Sequence, residues 1–337
     1  MRSHKRWAAA LGCLFVLATA GCAPDQNAAE SAPSNTSPST SPSTSPSTLY
    51  EPYVSATTAS ALDSAGSPTT YNAAFVIANG TACTASWNGT HALTDTSVTS
   101  RIAALKKNGS DVRVSFGGAS GKELAAVCGS VSALAQAYGA ALDAVGATRA
   151  DFDIEGDELT DSASVALRSR AIAELQKERP GLEVSFTLPV MPAGLDADSL
   201  ALLASANTYD VQVSTVNLMT MNYGESYAGD MGGYAVTAAT AAHAQLKQVF
   251  GGSDAAAWRG MALTSMIGVN DVAGETFTLA DAAEVREFAV RKGIAWVSMW
   301  STFRDRQCAD GSSAEDVATD CSGVEQQDGA FAQAFSG

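Results

Sequence analysis

Three acids occupy every second position of Ala150-Asp151-Phe152-Asp153-Ile154-Glu155-Gly156. Side chains alternate between the two faces of a β-strand, so Asp151, Asp153 and Glu155 share one face and Phe152 and Ile154 the other. Large apolar residues so regularly placed between acids argue against a solvated acidic edge, the plainest rival reading; a cation site with oxygen ligands is the other. Three carboxylates turned into a core are costly unless they share protons and hydrogen bonds. Close like charges raise the pKa of at least one member, which a general acid working near neutral pH requires. Glu155, at the end of the run, is the candidate proton donor.

Chemically able residues also close other apolar runs. Ser115-Phe116-Gly117-Gly118 ends one of them, and its glycines would let bulky groups and the acids approach the backbone. Met219-Thr220-Met221-Asn222-Tyr223-Gly224 ends a second, where alternation turns Met219, Met221 and Tyr223 inward, Met219 as core filling. Ser265-Met266-Ile267-Gly268-Val269-Asn270-Asp271 and Met299-Trp300-Ser301 end two more. A metal site is not expected, because there is no Cys-x-x-Cys and His4, His91 and His243 are scattered. No cofactor is implied.

These residues need elements to hold them. Short apolar runs at 50–55, 71–80, 111–118, 150–156, 182–190, 215–224, 259–268 and 293–301 alternate with alanine-rich stretches of helical character. Near-continuous apolar strands alternating with helices mean a buried parallel sheet. Eight such units predict an α/β fold of the closed (β/α)8 type, the TIM barrel, over 49–337 rather than an open doubly wound sheet. No Gly-x-Gly-x-x-Gly follows the first run, which weakens a dinucleotide-binding reading. Barrel active sites lie at the C-terminal ends of the strands, where the residues above fall.

The ends of the chain and its cysteines concern location. Arg2, Lys5 and Arg6 precede an apolar run from Ala8 to Ala20, closed by small residues before Cys22. This is the layout of a secretory signal over 1–21, too short to span a bilayer. Residues 22–48 form a Ser/Pro/Thr-rich linker in which Ser-Pro-Ser-Thr repeats at 37–40, 41–44 and 45–48. Proline at every fourth position blocks helix and ladder, so a disordered, extended stalk is expected. Beyond the signal, Cys83, Cys128, Cys308 and Cys321 make an even set that favours disulfides in an exported chain. Four cysteines allow three connectivities; Cys83–Cys128 with Cys308–Cys321 is favoured, because the second pair closes a short polar loop. Formal net charge is −15, and −18 once the signal is removed. An acidic chain lacks the basic patch that nucleic acid demands.

The ladder and its companions carry a resemblance. Asp151-Phe152-Asp153-Ile154-Glu155-Gly156 resembles the signature of glycoside hydrolase family 18, the chitinases, Asp-x-x-Asp-x-Asp-x-Glu, with Thr148 in place of the first aspartate. Ser115, Gly117 and Gly118 match that family's Ser-x-Gly-Gly. The run from Met219 to Gly224 is similar to the Met-x-Met-Asp-Tyr-Gly of bacterial, actinobacterial-like chitinases of the D type, with Asn222 where relatives carry Asp. The run around Met266 is similar to the same subgroup, and Trp300 stands where the family keeps a tryptophan under the sugar.

The resemblance implies a retaining, substrate-assisted hydrolase of β-1,4 linkages in chitin or N-acetylglucosamine oligosaccharides. It implies Glu155 as acid and base, Asp153 holding the acetamido N–H, Asp151 sharing the proton of Asp153, and Tyr223 on the acetamido carbonyl. Trp300, Met221, Asn222, Ser115, Gly117, Gly118 and Met266 would line the substrate site. The alternatives are an endo-β-N-acetylglucosaminidase acting on N-glycans and a non-catalytic chitin-binding barrel. Ala18-Thr19-Ala20-Gly21-Cys22 resembles a bacterial lipoprotein cleavage box, which implies a lipid on Cys22 and a monomer tethered to the outer face of the membrane, with plain secretion as the alternative.

Overall fold

The computed structural model of the chain describes residues 47–337. The expected signal (1–21), the lipidation site Cys22 and nearly all of the expected linker (22–48) lie outside these residues. Its strands are β1 (Leu49–Tyr50), β2 (Tyr53–Ser55), β3 (Thr70–Asn79), β4 (Ala82–Trp87), β5 (His91–Ala92), β6 (Asp111–Gly117), β7 (Arg149–Asp153), β8 (Glu183–Pro189), β9 (Val213–Met219), β10 (Met261–Met266), β11 (Gly268–Val269), β12 (Thr276–Phe277) and β13 (Trp296–Trp300). The helices are α1 (Thr96–Leu105), α2 (Val131–Val145), α3 (Gly156–Thr160), α4 (Ser162–Glu178), α5 (Ala197–Thr208), α6 (Met231–Phe250), α7 (Asp254–Arg259), α8 (Leu279–Lys292), α9 (Ala314–Thr319) and α10 (Ala330–Ser336).

From β3 the parallel order runs through β6, β7, β8, β9 and β10 to β13. The first strand closes this sheet in two pieces. Its β1 half pairs Leu49 with Trp296 and Tyr50 with Val297, while its β2 half pairs Tyr53, Val54 and Ser55 with Asn72, Ala73 and Ala74. The break falls at Pro52, which has no N–H to give a ladder. All eight apolar runs thus become barrel staves. A hairpin that the pattern had not suggested extends β3: β4 runs antiparallel to it, and β5 to β4. Thr48, assigned to the linker by composition, is buried, with its hydroxyl donating to the Ala289 carbonyl at 3.2 Å.

Two cores lie on either side of the staves. Outside, Phe116 and Phe152 stack at 5.2 Å, and Tyr138 of α2 meets Phe152 edge-on at 5.0 Å. Phe152 is one of the residues that strand alternation placed on the face opposite the acids. Inside, the barrel is polar at its base: Arg113 donates to Glu51 and to Asn72, both at 2.8 Å, with its guanidinium 4.1 Å over the Trp296 ring. A bidentate-capable cation between a carboxylate, an amide and an aromatic face is the arrangement a buried arginine needs. Both expected disulfides are formed, Cys83–Cys128 and Cys308–Cys321.

Candidate active site

Strand β7 delivers the acid ladder. Asp151, in the middle of the barrel, is 1% exposed and accepts from Tyr53 (2.9 Å), Ser115 (2.7 Å), Ser185 (2.7 Å) and Thr187 (2.8 Å). Four hydroxyl donors from β2, β6 and β8 offset the desolvation of this carboxylate. Asp153 lies one pleat higher, also buried. Ladder pairing ends there, yet Glu155 stays extended at φ −134°, so the two-residue period carries through to it; Gly156, at φ +55°, then turns the chain into α3.

A side-chain hydrogen bond between Asp153 and Glu155 at the top of the ladder raises the first and lowers the second. Burial pushes Asp153 far above the usual carboxylate range, helped by the charges of Glu155 and Asp151 and by the bond to Glu155. Burial also pushes Glu155 up; the bond from Asp153 pulls it partly back, and the charge of Asp271 pushes it up again. Asp151, expected to share the proton of Asp153, accepts four hydroxyls, and the side-chain bond of Asp153 is to Glu155.

Above the ladder opens a cavity of about 450 Å³. Asp153, Glu155, Met221, Asn222, Met266 and Trp300 line it, as the strand-end motifs suggested. Met219, read as core filling, lines it too. A second hollow of about 260 Å³ adjoins, walled by Pro189, Val190, Met191 and Asp196; it shares Glu155, Met219, Met221 and Asn222 with the first. The acid therefore stands where two lobes of one cleft meet.

Four expected residues sit elsewhere. Ser115, Gly117 and Gly118 do not line the cavity but support it from beneath. Ser115 holds Asp151, and a Cβ on Gly117 (φ +96°) would lie 2.1 Å from the Asp153 carbonyl oxygen. A Cβ on Gly118 would strike the Phe75 ring at 2.7 Å. Tyr223 is a correction to the reading from alternation. Strand pairing stops at Met219 and Asn222 adopts a left-handed backbone, φ +54°, which ends the two-residue period. Asn222 consequently turns to the cavity, while Tyr223 packs behind it against Tyr227 and Tyr234, with ring centroids 5.9 and 6.2 Å away.

Other lining residues carried little sequence signal. Phe75 stacks on Trp300 (5.5 Å, 25° between planes), and Tyr53 meets Trp300 edge-on at 5.8 Å, so the floor is a cluster of three rings. Tyr53 was visible as the middle of the first run, whose inward face alternation could have assigned. Phe75 was not, because the β3–β6 register shifts between Ala73 and Val76. Asp271 follows β11 in a turn, where no period applies.

No protein-family model matches the chain. It is 34% identical over 276 residues to a probable bifunctional chitinase/lysozyme of Escherichia coli K12, covering 76% of this chain and 31% of that one. It is 36% identical over 223 residues to endochitinase 11 of Metarhizium anisopliae, covering 62% and 43%. The chain thus spans less than half the length of these curated relatives. Its structure matches active domain 2 of the Pyrococcus furiosus chitinase with a TM-score of 0.76 and 28% identity, covering 86% of this chain and 94% of that one. In both sequence and fold the chain is similar to chitinases. Above Asp151, Asp153 and Glu155, the floor of Tyr53, Phe75 and Trp300 offers flat apolar ring faces to the cavity.

Proposed function

We propose that this barrel is a member of glycoside hydrolase family 18 that hydrolyses β-1,4 linkages of chitin or chitooligosaccharides with retention at the anomeric carbon. The carrying observation is the Asp153–Glu155 carboxyl pair, set where two lobes of an aromatic-floored cleft meet and with both members raised by burial. The Pyrococcus furiosus domain, a catalytic-site mutant complexed with chito-oligosaccharides, supports the same ligand class here.

Glu155, kept protonated by burial, gives its proton to the glycosidic oxygen. A retaining pair acting directly needs carboxyl groups about 5 Å apart, and Asp153 is in hydrogen-bond contact with Glu155. Asp153 is thus too near the acid to attack from the far face of the sugar, which favours the substrate's own acetamido oxygen as nucleophile. Asp153 Oδ1 is buried and has no partner among the described residues, so it is free to accept the acetamido N–H. The resulting oxazolinium ion is opened by water, from which Glu155 takes a proton. An intramolecular nucleophile adds an effective-molarity advantage to acid catalysis.

The test uses N-acetylglucosamine oligomers, a de-N-acetylated oligomer and a high-mannose glycoprotein, with products read by mass spectrometry. Cleavage restricted to the acetylated oligomers is expected. Glu155→Gln should lower that rate by about 10²–10⁴-fold. Undiminished turnover in this variant would sink the assignment, and glycan release with intact oligomers would make the chain an endo-β-N-acetylglucosaminidase. We also propose export, with Cys22 lipidated and the barrel a monomer on the outer membrane face; the two disulfides support an oxidising location.

A further inference from the structure

Another carboxylate shares the cavity with the acid. Asp271 reaches it from the turn after β11, on the β10 side of the barrel, three strands round from β7. It is held by a reciprocal pair of bonds: Asn222 Nδ2 donates to Asp271 Oδ2 at 3.4 Å, and the Asp271 N–H donates to Asn222 Oδ1 at 3.2 Å. Asn222 can present both ends of its amide because its backbone is left-handed, a conformation asparagine tolerates better than most residues. The buried Glu275 carboxylate fastens the same turn from behind, accepting the Gly224 N–H at 2.8 Å. Asn222 and Asp271 are themselves exposed, so water screens them from Glu155 while the cleft is empty.

We propose that Asp271, held by Asn222, is a positioning carboxylate of the reaction, one that keeps Glu155 protonated once a bound sugar chain has displaced the water between them. The inference rests on Glu155 being the proton donor. A negative charge nearby disfavours a second carboxylate, and the attraction or repulsion between charges grows as water leaves. The charge of Asp271 already acts on Glu155 in this direction. The other groups around the acid have different commitments. Asp153 of β7 bonds Glu155 directly, Asp151 is satisfied below it, and the Tyr53 hydroxyl of β2 serves Asp151. Asp196 lies in the smaller lobe, and Arg304, behind Asp271, spends its guanidinium on the carbonyls of Ile267, Val269 and Val317.

The experiment is a pair of pH–rate profiles on N-acetylglucosamine oligomers, for kcat and for kcat/KM, with the intact protein. The first reports the bound complex and the second the free enzyme. Asp271→Asn should move the alkaline limb of kcat to lower pH, and that of kcat/KM by less, because the free site is wet. Asp271→Ser should do the same, and the exchange Asn222→Asp/Asp271→Asn should bring the limb back. A kcat lowered by one factor at every pH, with the limb unmoved, would overturn the proposal, as would an exchange that leaves the limb displaced. Glu155→Gln separates the two levels: an active Glu155→Gln defeats the assignment of the acid, whereas an inactive one beside an unmoved limb defeats Asp271 alone.

Discussion

Asp153 carries two demands that conflict. It must sit in the barrel to reach the reacting sugar, and it must bring an ionisable group out of water to do so. The result is a carboxyl held well above its usual range, first by burial and then by Glu155 and Asp151. The native state therefore keeps this proton to higher pH than the unfolded chain. The associated stability is complete below the ordinary carboxylate value and is lost as pH rises through the native value. Asp153→Asn has no proton to lose. Its melting temperature relative to the wild type should rise as pH increases above the ordinary carboxylate range, while its activity falls, and calorimetry across a pH series would check it. A constant difference would mean that Asp153 is not the group that titrates.

At the scale of elements, the acid's setting depends on a buried cation. Arg168 of α4 donates to Glu123 at 3.1 and 2.8 Å and to Ser164 at 3.0 Å; Glu123 also accepts from Tyr138 of α2 at 2.5 Å and from the Ala125 N–H at 2.8 Å. Glu158, on the short helix that Glu155 caps, lies 3.8 Å from the same guanidinium. One ion pair thus ties α2, α3 and α4 to the segment whose Ala119, Ser120 and Gly121 wall the cleft. The side chains of Arg168 and Glu123 are each 1% exposed, so removing one strands the other's charge in the core. Arg168→Met should cost about 3–5 kcal/mol in urea unfolding. Arg168→Met with Glu123→Gln should cost less than the two single changes added together, because neither charge is then left alone.

For the whole molecule, the disulfides hold excursions from the barrel rather than the barrel itself. Cys83–Cys128 spans 45 residues and ties the β3–β4 hairpin, with Ile77 and Asn88 on the cleft, to the segment leading into α2. Cys308–Cys321 spans 13 residues beyond β13. Loop-closure entropy assigns the longer loop about 4 kcal/mol and the shorter about 3 kcal/mol. Paired Cys→Ser replacement should accordingly lower the melting temperature more at Cys83/Cys128, and there alone raise KM for the oligomers, since that pair braces the cleft wall. Equal melting temperatures and an unchanged KM would separate the hairpin from substrate binding.

Much of this architecture is written locally. Buried parallel strands read as apolar runs because helices cover one face and the barrel interior the other. The two-residue period therefore located the staves and grouped Asp151, Asp153 and Glu155 on one face, and it stayed valid because the backbone remains extended through Glu155. The period fails wherever the backbone leaves that geometry. Left-handed Asn222 put Tyr223 behind the cleft, a register shift brought Phe75 onto Trp300, and Asp271 entered from a turn with no period at all. The sequence by itself determined which side chains share a strand face, and hence which could share a proton. Which strand ends and turns meet around that proton was decided only by the tertiary structure, because it depends on the closure of β1 and β2 onto β13 and β3 and on turn conformations that no local repeat encodes.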